Sequence, residues 1–434
     1  MKKILFWSII PPLNAHSTAE ILTDNLIGSN SGNVMFQTSA ARATMVDEES
    51  EFVSAFSWIR GDLDAFARRA NEECSCFMIP LANAFRGNYI SHLEVLTQLL
   101  KKLTIPCAVT GVGIQASGFE ELDAGYAFDR QVRAFVSAAL ERSAMVGVRG
   151  AMTARYLKRL GFSEERHFTI IGCPSMYLRG SDLPKPKPLR LSRESRVCVN
   201  SKIAASQAVH SLIARGCREM PDYWYIPQTV EELRMMYAGV PIPTLGRRVP
   251  DYLPMNPRSP VLRRNRAVGF LNVPTWLDFM KDKDFSYGCN IHGNVAAVHA
   301  GVPALILARD LRVAEIAEYH ELCVVDPERV GQTASVRELA ERADFARVTA
   351  HHARRFEHFV DFLNVNGIEH IYAHGGSVQD APFDRRLARV NLAPPVTARS
   401  SMTLAQRREA LPVYRATVKH YWNKVKKKYG NRGR

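Results

Sequence analysis

The sequence predicts an α/β fold with parallel sheets, divided over two domains and leaving a cleft between them. Three observations carry this. Apolar runs of strand length alternate with helix-patterned segments along most of the chain. The 434 residues exceed what one hydrophobic core holds, since cores stop growing near about 250–300 residues. Glycine, arginine and histidine recur just after the apolar runs, where open α/β sheets bind ligands.

The elements follow in order. Residues 1–180 form the first domain, with strands at Ile4–Ile9, Cys76–Ile79, Cys107–Gly111, Met145–Val148 and Phe168–Ile171. Between them, Ser91–Lys102 carries Leu93, Leu96, Leu99 and Leu100 at helical spacing. Phe128–Arg142 is patterned likewise, and Thr153–Leu160 ends at the cap residue Gly161. Residues 181–196 hold three prolines among many charges and read as a linker. The second domain, 197–380, opens with the strand VCVN. It continues with a strand at Tyr223–Ile226, a helix at Val230–Tyr237 and a Pro/Arg-rich loop at Ile242–Arg266. A helix at Trp276–Lys281, a strand or loop at Tyr287–Ile291, a helix at Asn294–Ala300 and a strand at Ala304–Leu307 come next. A long helix near Phe345–Val365 is placed to pack back across the domains. From 381 to 434 core patterning fades into a basic C-terminal tail.

Composition narrows the function classes. With 46% hydrophobic and 23% charged residues the chain is a folded protein, not a disordered one. Of the net charge of +14, eight positive charges lie from Arg415 onward with no acid among them, which leaves +6 elsewhere. The body's excess suits an anionic substrate. The tail, with Lys424, Lys426, Lys427 and Lys428, suits a membrane surface or another polyanion; the alternative is a solvated tail. No apolar run reaches the ~20 residues of a membrane span, and Met1–Pro12 lacks the form of a signal peptide. The eight cysteines are scattered without a CxxC pair, which argues against zinc and for a reducing cytoplasm. No metal site and no nucleic-acid partner are expected.

The junction with most chemistry is Gly288-Cys-Asn290-Ile-His292-Gly293-Asn294, before a small-residue helix and the strand Ala304–Leu307. A histidine there lies beside helix N–H groups that hold anions, and Gly293 admits close approach. The plain structural alternative is a histidine that caps the turn. Ala308-Arg309-Asp310-Leu311-Arg312 offers two arginines as a fork for carboxylate or phosphate, or a solvated helix start with Asp310 as N-cap. In the first domain, Gly111, Gly113 and Gln115 follow one strand. Arg149 follows another, just before a helix at Gly150. Asn83 and Arg86 follow a third, and a polar loop, Gly28 to Asn33, precedes the helix Val34–Ala43. Each alone is more often a turn than a site. No P-loop and no Gly-x-Ser-x-Gly elbow is present.

Taken together, GVGIQ, VRGAMTARYLKRLG, IIGCPS and GCNIHGNVAAVHAGVPALILARDLRVAEI resemble the polysaccharide pyruvyl transferases, in the family's order. The resemblance implies a glycosyltransferase-B-like fold of two Rossmann-like domains. It also implies transfer of pyruvate from phosphoenolpyruvate, as donor substrate with no cofactor, to a sugar diol of a glycan or lipid-linked saccharide, for exopolysaccharide biosynthesis. The setting is the cytoplasm or the inner face of the membrane. His292 takes the acid–base work, and Arg149, Arg312 and Arg86 take the donor's negative groups. Asn83, Asn290, Gly293, Gly111, Gly113, Gln115 and Asn33 complete the expected site. The chain departs from the family where Arg usually stands two residues before the histidine: here it is Asn290, which supplies no cation. Two other readings follow: a nucleotide-sugar glycosyltransferase of the same architecture, and a non-catalytic binder of anionic glycans.

Overall fold

The computed structural model describes residues 3–8, 12–59, 61–116, 118–244, 249–308, 311–331, 333–373 and 379–429. In the first domain β1 (Lys3–Phe6), β2 (Glu51–Ser54), β3 (Cys74–Pro80) and β4 (Cys107–Thr110) form a parallel sheet in the order β2-β1-β3-β4. The parallel pair β5 (Val146–Val148) and β6 (Phe168–Ile170) extends it, because Val112, just past β4, bridges to Val148. In the second domain β7 (Val197–Asn200), β8 (Tyr223–Tyr225), β9 (Phe285–Gly288), β10 (Ala304–Leu307) and β11 (Val324–Val325) stand in the order β11-β10-β9-β7-β8. All of these pairs are parallel too. Both sheets therefore share one order, with the domain's second strand outside its first and the third inside it. The order reverses between β1 and β3 in one domain and between β7 and β9 in the other. At such points the crossover helices diverge and a crevice opens at the carboxyl ends.

The strands are parallel because they are apolar on both faces: β4 and β7 are buried throughout and β3 nearly so. The helix Ile90–Lys102 turns Leu93, Leu96, Leu99 and Leu100 fully inward, as its spacing predicts. The helix His352–Val365 packs Phe356, Phe359, Phe362 and Leu363 onto Ile4, Phe6 and Met78. The chain thus returns from the second domain to the first, as in a glycosyltransferase-B-like fold.

Several expectations are corrected. β1 ends at Phe6, and Ile9 lies outside the described residues. β2 and β11 were not anticipated; EFVS holds only two apolar residues and β11 only two residues in all. The helix of the histidine motif spans Ile291–His299, three residues earlier than expected, so His292 sits in its first turn rather than before it. The long helix breaks at His351 into Arg347–Ala350 and His352–Val365. The segment taken for a tail is folded through Tyr429. Phe383 is buried, Asp384 pairs with Arg42 of the first domain, and Val396 bonds to Gly269. The helix Leu411–Tyr429 closes it. Its packing rests on isolated apolar residues between charges, which periodicity does not reveal.

Candidate active site

The second domain supplies the histidine. Gly288 at the end of β9 has φ +148°, and a Cβ there would overlap the Asn200 carbonyl. Only glycine lets β9 end against β7 this closely. Asn200 Oδ1 accepts from the Asn290 N–H (2.7 Å), and its Nδ2 donates to Asn294 Oδ1 (3.3 Å), which also accepts from Ser286 Oγ (3.0 Å). Asn290 Nδ2 donates to the Ser201 carbonyl (2.8 Å). The Asn290 amide thus braces the β7 loop, a positioning task. Gly293 faces Gln228 Nε2, 2.5 Å from where its Cβ would stand, so it is a packing glycine.

His292 is clasped from the first domain. Its ring centroid lies 5.9 Å from that of Phe36, and its Nε2 is 3.7 Å from Cys173 Sγ. Its Nδ1 would lie 2.6 Å from a Cβ on Gly32. Burial, helped by the charge on Arg149, drives the imidazole pKa down to about 4, so the ring is neutral at pH 7. Burial holds the Cys173 thiol up, hence neutral as well.

The polar loop before the helix Asn33–Thr44 was a candidate for an anion or an acceptor sugar. Instead it packs on the second domain. Asn30 bridges to Thr229, and the Ser31 N–H donates to the Gln228 carbonyl (2.8 Å). Asn33 Nδ2 donates to the carbonyls of Ile27 (2.9 Å) and Gly28 (3.1 Å), holding its own loop.

Arg149, at the end of β5, is 5% exposed. Its Nη2 donates to the Ala82 carbonyl (2.6 Å) and reaches Asn83 Oδ1 (3.5 Å). The guanidinium lies across Gly113, where a Cβ would overlap its Nε. Opposite stands a residue sequence reasoning missed. Glu315, on the second-domain helix Leu311–Tyr319, places Oε1 3.4 Å from Arg149 Nε and accepts from the Thr153 N–H (3.0 Å) and Oγ1 (3.1 Å). The helix end at Gly150, expected to help hold substrate, already holds the protein's own carboxylate. Gly111, with φ +69°, packs against Pro174, 2.6 Å from where its Cβ would stand, and serves the turn.

Beside this pair lies a cavity of about 420 Å³ between the domains. Gln115 lines it from the first domain; Lys202, Ser206, Cys289 and Arg312 line it from the second. Asn83 Nδ2 donates to Gln115 Oε1 (2.9 Å), joining the Arg149 cluster to this wall. Arg86 is near enough for Arg312 to depress its pKa, after burial. The helix Gln207–Glu219, capped by Ser206, begins at the same wall. His292 does not line the cavity. Arg309 and Asp310 lie outside the described residues. Among the described residues no cluster of histidine, cysteine and carboxylate is arranged for a metal.

A family model described as polysaccharide pyruvyl transferase matches residues 58–310, more than half of the chain. The chain belongs to that family. No curated protein matches it. Solved structures that are similar to it include Anabaena HepE in complex with UDP and glucose, at 13% identity over 85% of this chain and 97% of that one, TM-score 0.43. A putative UDP-N-acetylglucosamine 2-epimerase from Listeria monocytogenes shares 11% over 83% and 98%, TM-score 0.37. An uncharacterized Klebsiella pneumoniae protein shares 11% over 75% and 93%, TM-score 0.39. In this pyruvyl transferase family member the matched span holds His292, Arg149, Asn83 and Gln115. Arg312 and Glu315 lie just beyond it.

Proposed function

We propose that the chain transfers pyruvate from phosphoenolpyruvate to two hydroxyls of a glycan precursor, as a ketal, in the cytoplasm and for exopolysaccharide assembly. One observation carries the donor: the cationic wall of Arg312 and Lys202, linked through Gln115 and Asn83 to Arg149. Phosphate and carboxylate together need several fixed donors. Asn290, where the family usually has arginine, is committed to Ser201, so Arg312 and Lys202 take over that charge. The seven buried cysteines suit a reducing compartment.

In the reaction the donor's methylene carbon gains a proton, and the first sugar hydroxyl attacks the neighbouring carbon. The C–O bond to phosphate breaks with its electron pair, and the second hydroxyl closes the ring. Two hydroxyl protons are released; one balances the methylene, and the other leaves with phosphate. His292 lies three residues beyond the cavity-lining Cys289, so the acceptor reaches from the cavity to the seam, where the neutral, partly exposed ring takes a hydroxyl proton as general base. A bound phosphate would raise its pKa by opposing the Arg149 charge, which fits the return of that proton to the donor.

The test is incubation with phosphoenolpyruvate and a panel of soluble and lipid-linked glycans. Phosphate release matched by a mass gain of one ketal on a glycan is expected. Binding of glycan without phosphate release, or turnover of a nucleotide-sugar instead, would sink the reading.

A further inference from the structure

The helix Leu411–Tyr429 shows two different faces. Val413, Thr417 and Tyr421, each four residues on, are buried against the helices Thr18–Thr23 and Val230–Ala238. Lys424 lies 3.5 Å from Glu231 on that side. Among the described residues this seam, with the neighbouring helix Leu404–Glu409, anchors the helix. Beside it run Leu411, Tyr414, Val418 and Trp422, also at helical spacing and all exposed; Trp422 is 70% exposed. At about 100° per residue they cover roughly 80° of the circumference. Arg415, Lys419 and Lys426 fall within the next ~60°. No Asp or Glu occurs from Leu411 to Arg434. Leu404, 76% exposed on the neighbouring helix Leu404–Glu409, stands near Arg407 and Arg408 in sequence.

An aromatic and aliphatic row that the fold leaves in water, flanked by acid-free cations, matches the chemistry of a bilayer surface with anionic headgroups. We propose that this face docks the protein on such a surface. Trp422, Val418, Tyr414 and Leu411 enter the headgroup region, and Arg415, Lys419 and Lys426 meet the lipid phosphates. A second copy of the chain fits less well, because pairing the stripes would set two acid-free cationic rows side by side. The inference does not depend on the reaction assigned to the cleft.

The experiment uses the full chain and vesicles of mixed phosphatidylglycerol and phosphatidylcholine. The protein is expected to sediment with them, and about tenfold less with phosphatidylcholine alone. The double variant V418N/W422Q should lose about tenfold in binding to the mixed vesicles with its Tm unchanged. R415E/K419E should do the same, and salt should weaken wild type. Equal sedimentation of wild type and V418N/W422Q overturns the proposal. So does a lipid-independent dimer that V418N/W422Q dissolves, which assigns the stripe to a second copy. Ketal formation on a soluble glycan stays unchanged in both variants, so failed docking and failed catalysis are read separately.

Discussion

The two domains repeat one strand order but use their strand ends differently. In the first, most ends are closed by protein, Gln115 past β4 excepted. Gly111 is roofed by Pro174, Arg149 is met by Glu315, and the loop before Asn33 rests on the second domain. In the second, Lys202 past β7 and Arg312 past β10 face an open cavity, while the turn after β9 sets His292, only partly buried, against Cys173 and Phe36 of the first domain. The difference teaches that a cation at a strand end is only half an argument for a binding site. What also matters is what the partner domain sets against it. Arg149 meets the Glu315 carboxylate, whereas Arg312 lines a cavity.

That contrast can be broken by experiment. The largest effect is expected at His292. Replacement by Ala or Gln should cut ketal formation about 10²–10⁴-fold with little change in Tm; near-native turnover in both would remove the imidazole from the chemistry. Next is Glu315→Gln, which keeps the shape and the bond from Thr153 but removes the negative charge set against the buried Arg149. Denaturant unfolding should show a loss of about 3 kcal/mol, and an unchanged midpoint would mean that Arg149 is neutralised by something else. On the open side, Arg312→Ala should raise the KM for phosphoenolpyruvate about 10–100-fold, with Arg312→Lys between it and wild type because a point charge replaces a fork. An equal rise from Asn290→Ala would erase the distinction drawn between them.

The smallest effect sharpens the comparison through pH. His292 titrates near 4 in the fold against about 6.5 unfolded. The unfolded chain therefore binds the proton first as pH falls. Stability from the neutral ring is complete above about 6.5, shrinks as pH drops toward 4, and is gone below it. His299, held down to about 3 by burial, adds to the same slope. Melting curves at pH 7 and pH 5 should thus differ less in His292→Gln than in wild type. An identical slope would mean that the fold does not depress the His292 pKa.

Much of this was legible. β10 was read to the residue, and Leu93, Leu96, Leu99 and Leu100 announced their helix, because apolar spacing reports burial directly. His292, Arg149 and Arg312 stand out because they follow apolar runs. Lys202 was equally findable, two residues beyond VCVN, by the same rule. Glu315 was not: nothing local marks a mid-helix carboxylate as the partner of an arginine 166 positions earlier. Asn290, Asn33 and Gly111 carried the right residue types, yet their contacts hold the β7 loop, the loop before Asn33 and the turn at Pro174. The folded C-terminal segment was invisible because its buried residues are sparse.

The Glu315–Arg149 contact has a consequence for ligand choice. Whatever approaches that guanidinium must displace a resident carboxylate that also holds Thr153. A neutral sugar offers nothing in exchange, and a singly charged acid roughly breaks even. The contact therefore keeps this strand end closed by the protein's own charges and leaves anion capture to the cavity beside it.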